Sequence, residues 1–149
     1  MPNNLSRRYF LQVIAAGAAG TAGAIACSGS AGSDPEAFGD VTAGNISELQ
    51  VGTVKSVPGE PVFVGRDGNG VYAMTTTCTH EGCDMSTNSA LTSRVTCTCH
   101  GSVFDLNGNV LSGPAKSSLT HFAVTLAADG TITIHGGTKV AASARTVVD

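Results

Sequence analysis

The amino-acid sequence predicts an all-β domain, because it is rich in glycine, poor in aromatic residues and built from short apolar runs. Glycine occurs 19 times in 149 residues, aromatic residues make up 5% of the chain, and tryptophan is absent. Threonine, valine and serine fill the runs between the turns, which favours strands over long helices. This length allows one compact domain and an extension.

Turn signals divide the chain into short antiparallel strands. Pro58-Gly59, the segment 67–70 and Asn107-Gly108 separate apolar runs, and Asn-Gly is a strong signal for a tight hairpin. Residues 86–91 allow at most one helical turn. The predicted strands cover residues 49–57, 61–66, 71–77, 95–97, 102–105, 110–111, 118–126 and 131–135.

Residues 1–27 are predicted to be an export signal. The arginine pair Arg7-Arg8 begins a twin-arginine pattern, and residues 11–26 follow as an apolar run of mostly alanine and glycine. This run is shorter than the roughly 20 residues of a membrane-spanning helix, which favours a signal over a stable anchor. We therefore expect twin-arginine export to the periplasm, with a lipid or the signal itself tethering the protein to a membrane.

The segments around the folded domain are expected to be tethers. Cys27 resembles the lipidation site of a bacterial lipoprotein, and the alternative is a small residue in a discarded peptide. Residues 28–44 are predicted to be a flexible linker, 45–136 the folded domain, and 137–149 a tail that frays. From residue 28 onward six basic and eleven acidic residues give a net charge of −5, which excludes nucleic acid as a partner.

Two glycine-containing segments carry residues that could bind a metal. One has Cys78 and His80, and the other has Cys97 and His100. Zinc in a shell of two cysteines and two histidines is one interpretation, although zinc sites usually draw paired ligands of one kind from each segment. Because each segment supplies one thiolate and one imidazole, a two-iron centre is favoured, with the cysteines on one iron and the histidines on the other.

These segments resemble those of the Rieske iron–sulfur proteins. The first reads Cys-Thr-His-Glu-Gly-Cys from Cys78, the second Cys-Thr-Cys-His-Gly-Ser from Cys97, and Gly113-Pro114 follows. The resemblance covers residues 45–136 and implies antiparallel β-sheets with a [2Fe-2S] cluster held between two loops of a small cluster-binding subdomain. The metal ligands that it implies, for one cluster per chain, are Cys78, His80, Cys97 and His100.

The family also implies a role for the remaining pair of cysteines in these segments. Cys83 and Cys99 would form a disulfide that clamps the two loops together, and the alternative is a pair of reduced, buried thiols. Ferredoxin-type Rieske domains of oxygenase systems lack such a pair. The pair therefore indicates the higher-potential respiratory branch of the family.

Further residues match positions that tune or cover the cluster in the family. Ser102 matches a serine that donates a hydrogen bond to a bridging sulfide, while Phe104 stands where high-potential members carry a tyrosine donor. The missing hydroxyl predicts a redox potential below that of typical quinol-oxidising members. Gly113-Pro114 matches the loop that covers the cluster, and a plain turn is the alternative.

Three titratable residues that lie outside the implied ligand set are Glu81, His121 and His135. Glu81 follows the first histidine, where quinol-oxidising members usually carry an apolar residue, so it indicates a more polar partner surface or a solvated residue without a role. His121 and His135 have no partner at ligand spacing and are expected to be ordinary strand residues. The outward nitrogens of the ligand histidines would couple electron uptake to proton uptake near neutral pH.

One-electron transfer is the expected function. The chain would be the iron–sulfur subunit of a quinol-oxidising complex, with cytochrome b or c type partners and a quinol at a partner interface. The alternative is a small subunit or free lipoprotein carrier that serves the large subunit of another periplasmic oxidoreductase. A structural zinc module is a third interpretation. Because the chain lacks a nucleotide-binding loop and a substrate-activating base, we expect an oxidoreductase subunit rather than an enzyme alone.

Overall fold

The computed structural model describes residues 38–88 and 90–148, and their regular structure is β apart from one short 3-10 turn, Ile46–Glu48. None of the helical structure in these residues has the length and apolar composition of a membrane span. In chain order the strands are β1 Asp40–Asn45, β2 Thr53–Ser56, β3 Val62–Asp67, β4 Gly70–Thr75, β5 Val95–Thr96, β6 Val103–Phe104, β7 Val110–Ser112, β8 His121–Leu126 and β9 Thr131–Val140.

The strands form two antiparallel sheets, as the all-β prediction requires. The larger sheet has six strands in the order β1-β9-β8-β4-β3-β2, and the smaller has three in the order β5-β6-β7. Strand β4 is buried along its whole length, because β3 and β8 pair with its two edges and apolar side chains cover it. The smaller sheet packs against this larger sheet.

The core has two parts, and one of them reaches the predicted metal ligands. Phe63, Tyr72 and Met74 of the larger sheet pack with Val95 and Phe104 of the smaller sheet. Cys78 and Cys97 belong to the same cluster of buried residues. The core between the two sheets therefore includes the cysteines of both cysteine- and histidine-bearing segments.

Strand β1 corrects the predicted linker boundary. Residues 40–44 were expected to belong to a flexible linker, but Asp40–Asn45 pairs with β9, and Val41 is buried. Phe38 also packs edge-on against Phe122, with the ring centroids 4.9 Å apart. The burial of these two apolar side chains stabilises the segment, although its acidic residues and glycine resemble those of a linker. Residues 28–37, like the predicted export signal and Cys27, lie outside the described residues.

The C-terminal tail was predicted to fray, but it is held in place by contacts with the larger sheet. Strand β9 continues to Val140, and the backbone of Thr146 both donates to and accepts from Val71 at 2.9 Å. Arg145 lies 4.0 Å from the centre of the Tyr72 ring, and its Nε is 2.7 Å from an Asp67 carboxylate oxygen. Burial disfavours the charged form of Asp67, but hydrogen bonds from Arg145 and the backbone outweigh it and lower its pKa. These long-range contacts hold the tail on the larger sheet.

His121 and His135 are strand residues, as predicted. His121 begins β8 and is buried, with its Nδ1 3.1 Å from the Leu119 carbonyl oxygen. Burial lowers its pKa, because the charged imidazolium is disfavoured away from water. His135 lies in β9, and its Nδ1 is 3.0 Å from an Asp40 carboxylate oxygen. Both histidines therefore contribute to the larger sheet.

Candidate metal centre

The two predicted ligand segments fold into loops with the same backbone pattern. In the first, the Cys78 amide donates to the Cys83 carbonyl at 2.8 Å, and the Gly82 amide donates back to Cys78 at 2.9 Å. In the second, Cys97 donates to Ser102 at 2.8 Å and Gly101 donates to Cys97 at 3.0 Å. Each loop turns at a glycine with positive φ, +71° at Gly82 and +76° at Gly101, which other residues rarely adopt. The repeated glycine in the sequence thus has the same structural cause in both loops.

A disulfide joins the two loops, as the family resemblance implied. Cys83 and Cys99 are bonded, with their Cα atoms 6.6 Å apart, and they are sixteen positions apart in sequence. Cys99 lies in the second loop, whereas Cys83 closes the first. The bond therefore restrains the two loops relative to each other, independently of any bound metal.

The four predicted ligands form two pairs across these loops, one of thiols and one of imidazoles. Cys78 and Cys97 are buried and free of disulfide bonds, and their thiols are close enough to share a hydrogen bond. The rings of His80 and His100 meet edge to face, with centroids 4.9 Å apart. The Nδ1 atom of His80 is buried and has no hydrogen-bond partner among the described residues. A buried imidazole nitrogen of this kind is costly unless it binds something, and a metal ion would satisfy it.

The environment of Cys78 also suits a metal. Burial raises the pKa of its thiol, and the neighbouring Cys97 adds to this effect. Hydrogen bonds from the His80 backbone amide and the Ser102 hydroxyl favour the thiolate, but they do not outweigh burial. Because metal binding requires the thiolate, a cation would have to supply the remaining stabilisation. Two thiols and two imidazoles, paired across the two loops in this way, fit an iron–sulfur cluster.

A third loop, residues 113–117, contacts both ligand loops and holds them together. The Ala115 amide donates to the Ser102 hydroxyl at 3.1 Å, and the Thr79 hydroxyl donates to the Ser117 carbonyl at 2.6 Å. Gly113 begins this loop at φ +95°, and a side-chain carbon there would lie 2.6 Å from Ser102 Cα. Thr79 was not singled out from the sequence, since a threonine between two ligands carries no signal of its distant partner.

The predicted tuning residues lie next to the thiols. Ser102 is completely buried and accepts from Ala115, which leaves its own proton for Cys78. Phe104 is also completely buried, in the same core cluster as Cys78 and Cys97, and has no hydroxyl to donate. Ser102 therefore interacts with the Cys78 thiol, and its predicted hydrogen bond to a bridging sulfide remains a prediction.

Glu81 lies at the exposed end of the centre. Its Oε2 is 3.4 Å from Nε2 of His100, and both side chains are substantially open to solvent. The contact places a carboxylate beside the outward nitrogen of a predicted ligand. A polar residue at the tip was expected from the sequence, but its pairing with a histidine on the other loop was not.

These features define a small β domain that holds a metal cluster between two disulfide-clamped loops. The family model described as Rieske [2Fe-2S] domain matches residues 40–123. The cytochrome b6-f complex iron-sulfur subunit of Synechococcus sp. (strain RCC307) is 35% identical over 118 residues, covering 74% of this chain and 61% of that protein. The chain belongs to the Rieske [2Fe-2S] domain family, and its cofactor is a [2Fe-2S] cluster.

The chain spans less than two thirds of the length of the curated relatives that it matches, but nearly all of one solved structure. The corresponding subunit of Synechococcus sp. (strain CC9605) is 39% identical over 69 residues, which cover 44% of this chain and 38% of that protein. A solved chain from the complex of reduced oxygenase and oxidized ferredoxin in carbazole 1,9a-dioxygenase is 27% identical, with a TM-score of 0.52. That match covers 68% of this chain and 97% of the solved one.

Proposed function

We propose that this chain transfers single electrons in an exported bacterial redox chain. The observation that supports the proposal is a pair of buried thiols and a pair of imidazoles on two disulfide-clamped loops. Cys78, His80, Cys97 and His100 would hold the cluster. When bound, the cluster takes up and releases one electron at a potential set by its imidazole ligands and by hydrogen bonds to sulfur.

The protein surrounds the two halves of the centre differently. Cys78 and Cys97 lie in the apolar core, where water is excluded. The side chain of His100 is 44% exposed. Because electron transfer needs close approach, the histidine edge is where a partner would exchange electrons with this protein.

The loops that surround the centre limit its movement. The disulfide joins the ligand loops, and the third loop is hydrogen-bonded to Thr79 in one and Ser102 in the other. A pocket restrained in this way needs little rearrangement when the charge of the centre changes. This rigidity is what an electron carrier requires, and it would be unnecessary for a purely structural zinc site.

Two settings for this electron transfer are supported by different observations. The relatives named as cytochrome b6-f complex iron-sulfur subunits support a subunit of a quinol-oxidising complex, with cytochrome b or c type partners. Glu81 beside His100 favours the other setting, a small subunit or free lipoprotein carrier for another periplasmic oxidoreductase. In both settings we propose twin-arginine export and a membrane tether, with Cys27 as the site of lipidation.

Export and cofactor can be tested together in a host that has the twin-arginine pathway. The full chain is expected to give, after reduction, an electron paramagnetic resonance spectrum with an average g below about 2 in the periplasmic or membrane fraction. The variant Arg7→Lys/Arg8→Lys keeps the positive charges and is expected to retain the spectrum in the cytoplasm. A protein that contains zinc instead of iron, or export that is unaffected by the variant, would contradict the proposal.

Replacing Phe104 by tyrosine is expected to raise the redox potential. The new hydroxyl would lie in the core cluster that includes both predicted ligand cysteines, where a hydrogen bond to sulfur stabilises the reduced state. One such bond corresponds to a rise of roughly 20–60 mV. Protein-film voltammetry measures it, with Phe122→Tyr in the other core cluster as the control. An unchanged potential in the folded Phe104→Tyr variant would show that this position does not tune the cluster.

A further inference from the structure

The exposed end of the centre carries one acidic side chain next to a predicted ligand. Glu81 Oε2 lies 3.4 Å from His100 Nε2, and the Glu81 side chain is 61% exposed. A carboxylate this open is solvated and can also reach a partner. It lies on the histidine side of the centre, where electrons would enter or leave.

The surface around Glu81 is polar. The neighbouring exposed residues of the two ligand loops are glycine, threonine, histidine and the disulfide cysteine. Among the described residues, the large hydrophobic side chains that are exposed are Val51, Leu111 and Val147, and all three lie outside these two loops. The exposed ends of the two ligand loops therefore lack large apolar side chains against which a hydrophobic partner surface would pack.

The domain as a whole is weakly acidic. Residues 38–148 include eight acidic and six basic side chains. The acidic side chain in contact with a predicted ligand is Glu81. Charge complementarity mainly determines how fast and in which orientation two redox proteins meet.

We infer that Glu81 is a docking residue for a redox protein whose contact face carries lysine or arginine side chains. The inference rests on the electron-transfer function proposed above. A cationic side chain that pairs with Glu81 would bring its protein against the exposed edge of His100. Glu81 thus selects the partner and also orients it, because its carboxylate lies beside the imidazole through which the electron would pass.

Stopped-flow oxidation of the reduced full-length holoprotein tests this inference. The probes are cationic cytochrome c and the small anion ferricyanide, each at low and high ionic strength. For Glu81→Gln at low ionic strength, the rate with cytochrome c is expected to fall about threefold to tenfold, while the rate with ferricyanide rises. Both differences are expected to disappear at about 1 M salt, where the Debye length is roughly 3 Å.

A matched variant controls for the loss of one negative charge anywhere on the protein. Asp129 lies in the β8–β9 turn, away from the ligand loops, and its carboxylate accepts from the Thr131 amide at 3.0 Å. Asp129→Asn keeps an acceptor there and is expected to leave both rates within about twofold of the wild type.

The two oxidants separate docking from a change in redox potential. A potential that rises when the charge is removed would slow both reactions, because it lowers the driving force for both. Glu81→Gln that slows both oxidants, or that matches Asp129→Asn, would overturn the inference and leave the proposed electron transfer intact. A holoprotein that takes up no electron would overturn the proposed function and this inference with it.

Discussion

Replacing Cys97 by serine is expected to abolish cluster binding. Cys97 is buried beside Cys78 and free of disulfide bonds, so it is placed to supply one of the two thiolates to iron. A serine hydroxyl is a harder ligand that remains protonated at neutral pH, and changes outside the ligand set already cost 10–100-fold in metal affinity. We expect the iron content to fall from two atoms per chain to less than roughly one tenth of that, with loss of the visible absorption and the reduced-state paramagnetic spectrum.

The control for this variant is a histidine of the larger sheet. His135 contacts Asp40 at 3.0 Å and lies in β9, so His135→Asn is expected to keep both iron atoms. Circular dichroism on both variants checks that the sheets have formed. A folded Cys97→Ser protein with full iron content and an unaltered spectrum would remove Cys97 from the ligand set.

Removing the disulfide between the ligand loops is expected to destabilise the domain by about 3 kcal/mol. Cys83 and Cys99 are sixteen positions apart, and the bond restricts the unfolded chain over this loop. For a domain of this size the loss corresponds to a fall in melting temperature of roughly 10–20 °C. The cluster should be lost at lower urea concentration in Cys83→Ser/Cys99→Ser, because the covalent restraint between the ligand loops would be gone and the third loop and the core would have to hold them.

Urea unfolding followed by circular dichroism and by visible absorption measures both effects. Wild-type protein treated with a thiol reductant controls for the substitutions, and it should approach the stability of the double variant. Thr92→Ser, an exposed position between the two loops, is expected to change stability by less than about 0.5 kcal/mol. A double variant as stable as the wild type would mean that the third loop and the core suffice to hold the ligand loops.

The candidate ligands and the turns of the metal centre could be predicted from the sequence, because the residues that indicate them are close together in the chain. Within each ligand segment the cysteine, the histidine and the glycine lie within a few residues of one another, and each turn pair is a dipeptide, so these signals can be recognised without distant parts of the chain. The β4 and β9 regions were predicted for the same reason, since apolar runs between turn residues favour strands. The ligand set itself remains a prediction, which the Cys97 variant tests.

Strand ends and the edges of the domain were less predictable. The strand expected from residue 49 begins at Thr53, because the chain first makes a turn in which Leu49 is buried. Strand β1 was assigned to a linker, and the tail was expected to fray. The order of both segments comes from contacts with strands that are distant in sequence, which local patterns do not reveal.

The sequence by itself determined the all-β class, the family resemblance and the four candidate ligands, because composition, turn residues and metal-binding side chains act locally. Only the tertiary structure decided that Arg145 reaches Asp67, that Thr79 is hydrogen-bonded to Ser117, and that Glu81 lies beside His100. Each of these pairs joins separate loops or strands. Such contacts depend on how the whole domain packs, and a residue's own neighbours in sequence do not specify its partner across a fold.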